Sequence, residues 1–264
     1  MSRNRLHILS SGSKGNALLI ENDNVFLLID QGLSLRRFTI SCAAAGIDPS
    51  RIIALFVTHE HTDHINGVPL TAHRLNLPVY AAPSVIEYLF ALCNSERYRF
   101  DTREITSSRP ITVYPFRVEP FPVVHDARDP YGFTVTLPNE ERLTLVTDTG
   151  TITHRICSHM AISDYLVIEA NHDPYLLYRN PHYPADLKQR IRSANGHLSN
   201  EQCIEALERV GKGRLKKVIF AHLSEENNSP ELVRHAATVC FDRIAFAGES
   251  FVAPRQGILS IELS

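Results

Sequence analysis

The densest chemistry in this chain lies in His59-Glu60-His61-Thr62-Asp63-His64. Three imidazoles and a carboxylate within one short run can bind a transition metal through nitrogen and oxygen. A solvated polar loop seldom spends its positions this way, so we read the run as a metal-binding loop. Its four ligands cannot easily enclose a single ion. His59 and His61 alternate and point to one side, while Asp63 and His64 follow a turn and serve a second site. Each set needs partners from elsewhere. His125 would complete the first and His222 the second, and Asp148, with two oxygens, could bridge both.

The elements that must position these residues share a grammar. The apolar, β-branched run Ile52 to Val57 reads as a buried strand that delivers the chain into the metal loop. Ile111 to Val124 reads as two strand segments, interrupted by Pro115 and Pro120, that end at His125. A hairpin of Phe133 to Leu137 and Leu143 to Thr147 ends at Asp148. Tyr165 to Ala170 runs toward His172, and Lys217 to Phe220 toward His222. Strands packed into sheets would present all these ends at one rim. Leu6 to Ser10, a hairpin of Ala17 to Ile20 with Val25 to Ile29, a strand near Val79, and strands at Arg243 to Ala247 and Ile258 to Leu263 complete the β content. Helices are expected at Ser34 to Ala45 with Gly46 as its stop, and at Val68 to Leu75, Ser84 to Leu92, Pro184 to Ser193, Ser199 to Val210 and Pro230 to Val239. Hairpins mixed with strand–helix units predict an α+β fold, a four-layer αββα sandwich.

The composition, 44% hydrophobic and 21% charged, is that of a folded globular chain, and the net charge of −2 provides no global basic field. No Pro/Gly/Ser-rich linker divides the 264 residues, so a single domain over 1–264 is expected. The apolar run within Met1 to Asn16 is too short for a signal peptide or a membrane span. Cys42, Cys93, Cys157, Cys203 and Cys240 have no CxxC spacing and read as reduced core residues of a cytoplasmic protein.

The H-x-H-x-D-H run, followed by His125, by Asp148 in Thr-Asp-Thr-Gly and by His222, resembles the metallo-β-lactamase superfamily. Ser11-Gly12-Ser13-Lys14-Gly15-Asn16, Glu169-Ala170-Asn171-His172-Asp173, Gly196-His197-Leu198-Ser199-Asn200 and the stretch Ala221 to Asn228 are similar to its YycJ/WalJ-like branch. The resemblance implies that His59, His61, Asp63, His64, His125, Asp148 and His222 hold two divalent ions per chain, Zn, Mn or Fe. It implies that Asp30, in Leu-Leu-Ile-Asp-Gln-Gly, supports the metal loop by hydrogen bonds. It implies a nuclease, including 5′-to-3′ exonuclease action, related to the tRNA 3′-processing group and lacking the long extra domain of larger nuclease relatives.

The mechanism so implied is hydroxide attack on a phosphodiester of DNA or RNA, with Asp63 orienting the hydroxide and His197 protonating the leaving group or touching the phosphate. His197 and His172 each have a structural alternative; for His197 it is a helix-entry position capped by Ser199. The loop containing Ser13, Lys14 and Asn16 offers N–H groups, hydroxyls and a cation to a phosphate, or is simply a tight turn. Ser224 and Asn227, in the stretch after His222, are further candidates for substrate contact. Lys188, Arg190 and Arg192, with Lys212, Arg214, Lys216 and Lys217, form either a phosphate-tracking stripe or a solvated face. A thioester or lactone hydrolase on the same two-metal site is the alternative enzyme, and a non-catalytic binding module the alternative of another class.

Overall fold

The computed structural model describes residues 3–92, 98–107 and 109–263. Its strands are β1 (Asn4–Ser10), β2 (Ala17–Asn22), β3 (Val25–Ile29), β4 (Ile52–Phe56), β5 (Val79–Ala81), β6 (Thr102–Glu104), β7 (Ile111–Val113), β8 (Phe116–Pro122), β9 (Tyr131–Thr136), β10 (Arg142–Val146), β11 (Tyr165–Glu169), β12 (Lys217–Ala221), β13 (Glu249–Val252) and β14 (Leu259–Leu263). They form two sheets, ordered β14-β1-β2-β3-β4-β5-β6 and β13-β12-β11-β10-β9-β8-β7. Each sheet is antiparallel in one half and parallel in the other: β3, β4, β5 and β6 pair in parallel, as do β10, β11, β12 and β13.

Alternation along the strands builds the layers, because successive side chains point to opposite faces. Leu6, Ile8, Leu18, Ile20, Leu27 and Ile29 meet Val118, Phe133, Val135, Leu145 and Val167 in the core between the sheets. Phe56 crosses that core, edge-on to Phe133 with 5.6 Å between ring centroids. The intervening residues Leu19, Phe26 and Leu28 face outward onto the helices Leu35–Ala44, Val68–Leu75 and Pro83–Leu92. On the far side Leu166, Ile168 and Phe220 pack under His154–Ala161, Asn200–Val210 and Pro230–Arg243. The result is the expected α+β, αββα sandwich. Among the described residues no helix is long and apolar enough to cross a membrane.

Two local expectations are corrected. Arg243 to Ala247 is not a strand: the last helix runs on to Arg243, and pairing to β12 begins at Glu249, opposite Lys217. Ile244 and Phe246 are apolar because they pack beside the outer core. Pro120 does not interrupt its strand, since it lies opposite Phe133 within the β8–β9 register. β6 and the helices Thr62–Ile65, His154–Ala161 and Pro174–Arg179 were not apparent from periodicity, three of these elements being six residues or fewer. Cys42, Cys203 and Cys240 are buried, and burial pushes the Cys42 thiol up to about 12. Cys157 is half-buried, and Cys93 and Met1 lie outside the described residues.

Candidate metal centre

β4 ends at Phe56, and the chain passes through Val57 and Thr58 to His59. His61 stands at the N-cap of the short helix Thr62–Ile65, which puts Asp63 and His64 in its first turn. Asp30, just past β3, braces this loop. Its carboxylate accepts from Thr58 N–H at 2.8 Å, from Thr58 Oγ1 at 2.9 Å and from His64 Nδ1 at 2.8 Å.

Four histidines are turned the same way. Nδ1 of His59 meets Thr58 Oγ1 at 3.0 Å, Nδ1 of His64 donates to Asp30, Nδ1 of His125 donates to the Gly196 carbonyl at 3.0 Å, and Nδ1 of His222 donates to Glu169 Oε1 at 3.0 Å. Anchoring Nδ1 fixes each ring's orientation and turns Nε2 toward the other rings, the usual support for a metal-binding imidazole. The free atoms converge. His59, His61 and His125 bring ligand atoms within 4.8 Å of one another, as do Asp63, His64 and His222, and as do His59, His64 and Asp148. Asp148 reaches both sets: its Oδ2 lies 3.4 Å from His64 Nε2, and its Oδ1 lies 3.4 Å from His222 Nε2 and 4.0 Å from His125 Nε2.

The fit to metal is tested by what these atoms lack. Nε2 of His59, Nε2 of His222 and Oδ2 of Asp148 are buried without a hydrogen-bond partner. Leaving such a group unsatisfied costs about 1–3 kcal/mol. Divalent cations held by the two sets would satisfy all three, so the nitrogen and oxygen donors present fit a metal centre.

The electrostatics divide the ligands. Burial, with three neighbouring histidines, holds His59 well below the ordinary histidine range, and burial also lowers His125. For His64 and His222 burial acts in the same sense but is outweighed. Asp148, Asp30 and Asp63 raise His64; Asp148, Asp63 and Glu169 raise His222. Asp63 is driven far below the usual carboxylate range, because His64 and His222 overcome its burial.

Glu169 entered the sequence analysis only as the first residue of the Glu169-Ala170-Asn171-His172-Asp173 motif, with no role of its own. It is 0% exposed. Oε1 accepts from His222 and, at 2.7 Å, from His197 Nδ1; Oε2 accepts from the backbone N–H of Thr149 and Leu198, both at 3.2 Å. Both oxygens are thus occupied, which makes Glu169 a support rather than a ligand. Burial opposes a charge on His197, but Glu169 prevails and raises its pKa.

A cleft of about 190 Å³ opens over the centre, lined by Ser13, His61, Asp126, Tyr183, Arg190 and His197, among others. Asn171 and Ser224 also line it. The other expected substrate contacts lie elsewhere. Lys14 pairs with Glu225 at 2.6 Å and lines a separate depression. Asn16 braces the metal loop, donating from its N–H to the Asp63 carbonyl at 2.7 Å and from Nδ2 to Asp63 Oδ2 at 3.1 Å. Asn227 is buried and its Oδ1 accepts from Asn180 Nδ2 at 2.7 Å. His172 is buried beside the Ser199 backbone, and burial lowers its pKa to about 4. Asp126 and Tyr183, which do line the cleft, carried no recognisable spacing.

A family model described as the beta-lactamase superfamily domain matches residues 26–222. The chain is 37% identical over 231 residues to exodeoxyribonuclease WalJ of Streptococcus pneumoniae serotype 2, covering 85% of this chain and 83% of the relative. It is 34% identical over 249 residues to exodeoxyribonuclease YycJ of Bacillus anthracis, covering 92% of each. Among solved structures it is similar to the metallo-beta-lactamase fold protein YhfI from Bacillus subtilis, with a TM-score of 0.73 at 16% identity over 98% of this chain and 100% of that one. At that identity the likeness is one of fold. The chain belongs to the beta-lactamase superfamily, within its WalJ/YycJ group.

Proposed function

We propose that this chain is a divalent-metal-dependent phosphodiesterase that shortens DNA from an end, a 5′-to-3′ exodeoxyribonuclease. The observation that carries the reading is the convergence of unpartnered buried ligand atoms beneath an open, polar cleft. Its support in sequence is the 37% and 34% identity to two exodeoxyribonucleases. His59, His61 and His125 would hold one ion, and Asp63, His64 and His222 another, with Asp148 between them. The mixed imidazole and carboxylate set suits Zn, Mn or Fe. Ions bound there would lower the pKa of water and stabilise developing charge on phosphate oxygens.

The chain's own residues do the rest. Asn16 Nδ2 holds Asp63 Oδ2 in place to orient the attacking oxygen. Glu169 engages Nδ1 of His197, so the remaining ring nitrogen, Nε2, is the one that donates a proton to the leaving oxygen. Ser13 and Arg190 border the cleft, where a phosphate would sit.

The test is digestion of DNA and RNA labelled at either end, by metal-quantified protein supplied with Mn or Zn, with His61→Ala as control. Metal-dependent shortening of DNA from the 5′ end, absent in the variant, is expected. Metal-loaded protein that leaves every labelled strand intact would overturn the reading.

A further inference from the structure

Asn171 and Tyr183 both line the cleft, and the chain between them leaves it and returns. This excursion holds the helix Pro174–Arg179 and leads into the helix Ala185–Arg192. It is firmly tied. Asp173 caps the first helix through Leu176 N–H at 2.9 Å, and its own N–H donates to the Asn227 carbonyl at 2.8 Å. Lys188 Nζ joins the two helices by donating to the Tyr178 carbonyl at 2.8 Å. Leu177 anchors the underside at 0% exposure.

On this held helix two large rings stand in water: Tyr175 is 66% exposed and Tyr178 is 70% exposed. They are three residues apart and therefore share a face, with Cβ atoms about 5–6 Å apart. The surroundings are cationic. From His172 to Arg192 the chain carries Arg179, Lys188, Arg190 and Arg192 against two carboxylates, Asp173 and Asp186, although its overall net charge is −2. Arg190 reaches the cleft itself, where its Nε donates to Asp126.

Exposed aromatic faces beside cations, continuous with a cleft over a metal centre, match the chemistry of an unpaired polynucleotide. Bases stack on the rings and phosphates follow the cations. We infer that the 172–192 excursion is a docking surface for single-stranded DNA, with Tyr175 and Tyr178 stacking bases and Tyr183 and Arg190 leading the strand to the metal centre. A duplex hides the faces of its interior bases, so a strand meets this surface where it is unpaired. The inference rests on the nuclease reading and specifies the form of its substrate.

The test measures binding of fluorescent phosphorothioate oligothymidylate, which resists cleavage, to the metal-loaded full chain by anisotropy. Tyr175→Ala and Tyr178→Ala should each weaken binding about fivefold or more, and Tyr→Phe at either position should restore it. An abasic strand of equal length should bind wild type and both alanine variants alike, because only the phosphates remain. Metal content and melting temperature report that the variants are folded. Unchanged affinity in a folded Tyr175→Ala/Tyr178→Ala protein that still cleaves DNA overturns this surface alone, and would turn the tyrosines toward a protein partner. A wild-type protein that neither binds nor cleaves DNA overturns the nuclease reading and this inference with it.

Discussion

His197 and His222 hang from the same oxygen: Glu169 Oε1 lies 2.7 Å from Nδ1 of the first and 3.0 Å from Nδ1 of the second. One buried carboxylate thus orients both a candidate ligand and a candidate proton donor. Glu169→Gln keeps the shape but removes the charge. Its amide also faces four donors with one acceptor oxygen, so either the two histidines or the Thr149 and Leu198 N–H groups lose a partner. Metal affinity should fall by about 10–100-fold. Metal content after dialysis against graded chelator checks this, and wild-type retention would remove Glu169 from the site's support.

His197→Ala separates binding from turnover. His197 stands outside the three ligand triads; it does group with Asp148, Glu169 and His222, but Glu169 holds its Nδ1, so the variant should keep its metal. Turnover on DNA should fall by about 10²–10⁴-fold if the ring supplies a proton. Equal turnover with equal metal content would reduce His197 to a packing residue.

Gly32 lies directly against the metal loop. A Cβ there would stand 1.6 Å from the Asp63 carbonyl oxygen and 2.9 Å from the Asn16 nitrogen. Both are backbone atoms and cannot swing away. Gly32→Ala should therefore push the loop off Asn16, costing about 3 kcal/mol. That corresponds to a fall in Tm of roughly 6–12 °C. Calorimetry alongside metal content reads both effects, and a wild-type Tm would show that the two segments separate freely.

Metal binding should release protons. His64 and His222 have folded pKa values raised by surrounding carboxylates, so without metal they hold protons on the ring. Their contribution to apo stability is full below the ordinary histidine value of about 6.5 and is lost as pH rises through the raised values. A metal needs the deprotonated nitrogen, so affinity should rise with pH, by about tenfold per pH unit for each proton displaced. His59 and His125 are already held neutral by burial and add nothing to this release. Titration calorimetry in buffers of different ionisation enthalpy measures the protons directly, and pH-independent affinity would contradict the protonated state of His64 and His222.

Much of the centre was legible because ligand chemistry is local. Three histidines and an aspartate after an apolar strand announce a metal loop whatever the rest of the fold does, and the strand ends at His125, Asp148 and His222 follow from hydropathy alone. The polar loops were not legible in the same way. Asn16, Lys14 and Asn227 had the right types for phosphate contact, yet one braces Asp63, one pairs with Glu225 and one holds Asn180. A polar side chain has many equivalent partners, and only packing chooses among them.

The sequence by itself determined the donor set, the alternating strands and hence the layered architecture, because residue type and period act over a few residues. Tertiary structure decided the convergence. Asp30, Asp148 and His222 each leave their strands with left-handed backbone, φ of 57°, 55° and 55°. For residues with a Cβ that costs roughly 1–2 kcal/mol each. Fixed partners hold two of them there: Asp30 N–H donates to the Phe56 carbonyl, and His222 N–H to Ser11 Oγ, both at 2.8 Å. Those partners come from other strands and loops, 26 and 211 positions away in the chain, so no local pattern could have announced the turns that aim Asp30 at the metal loop and His222 into the candidate centre.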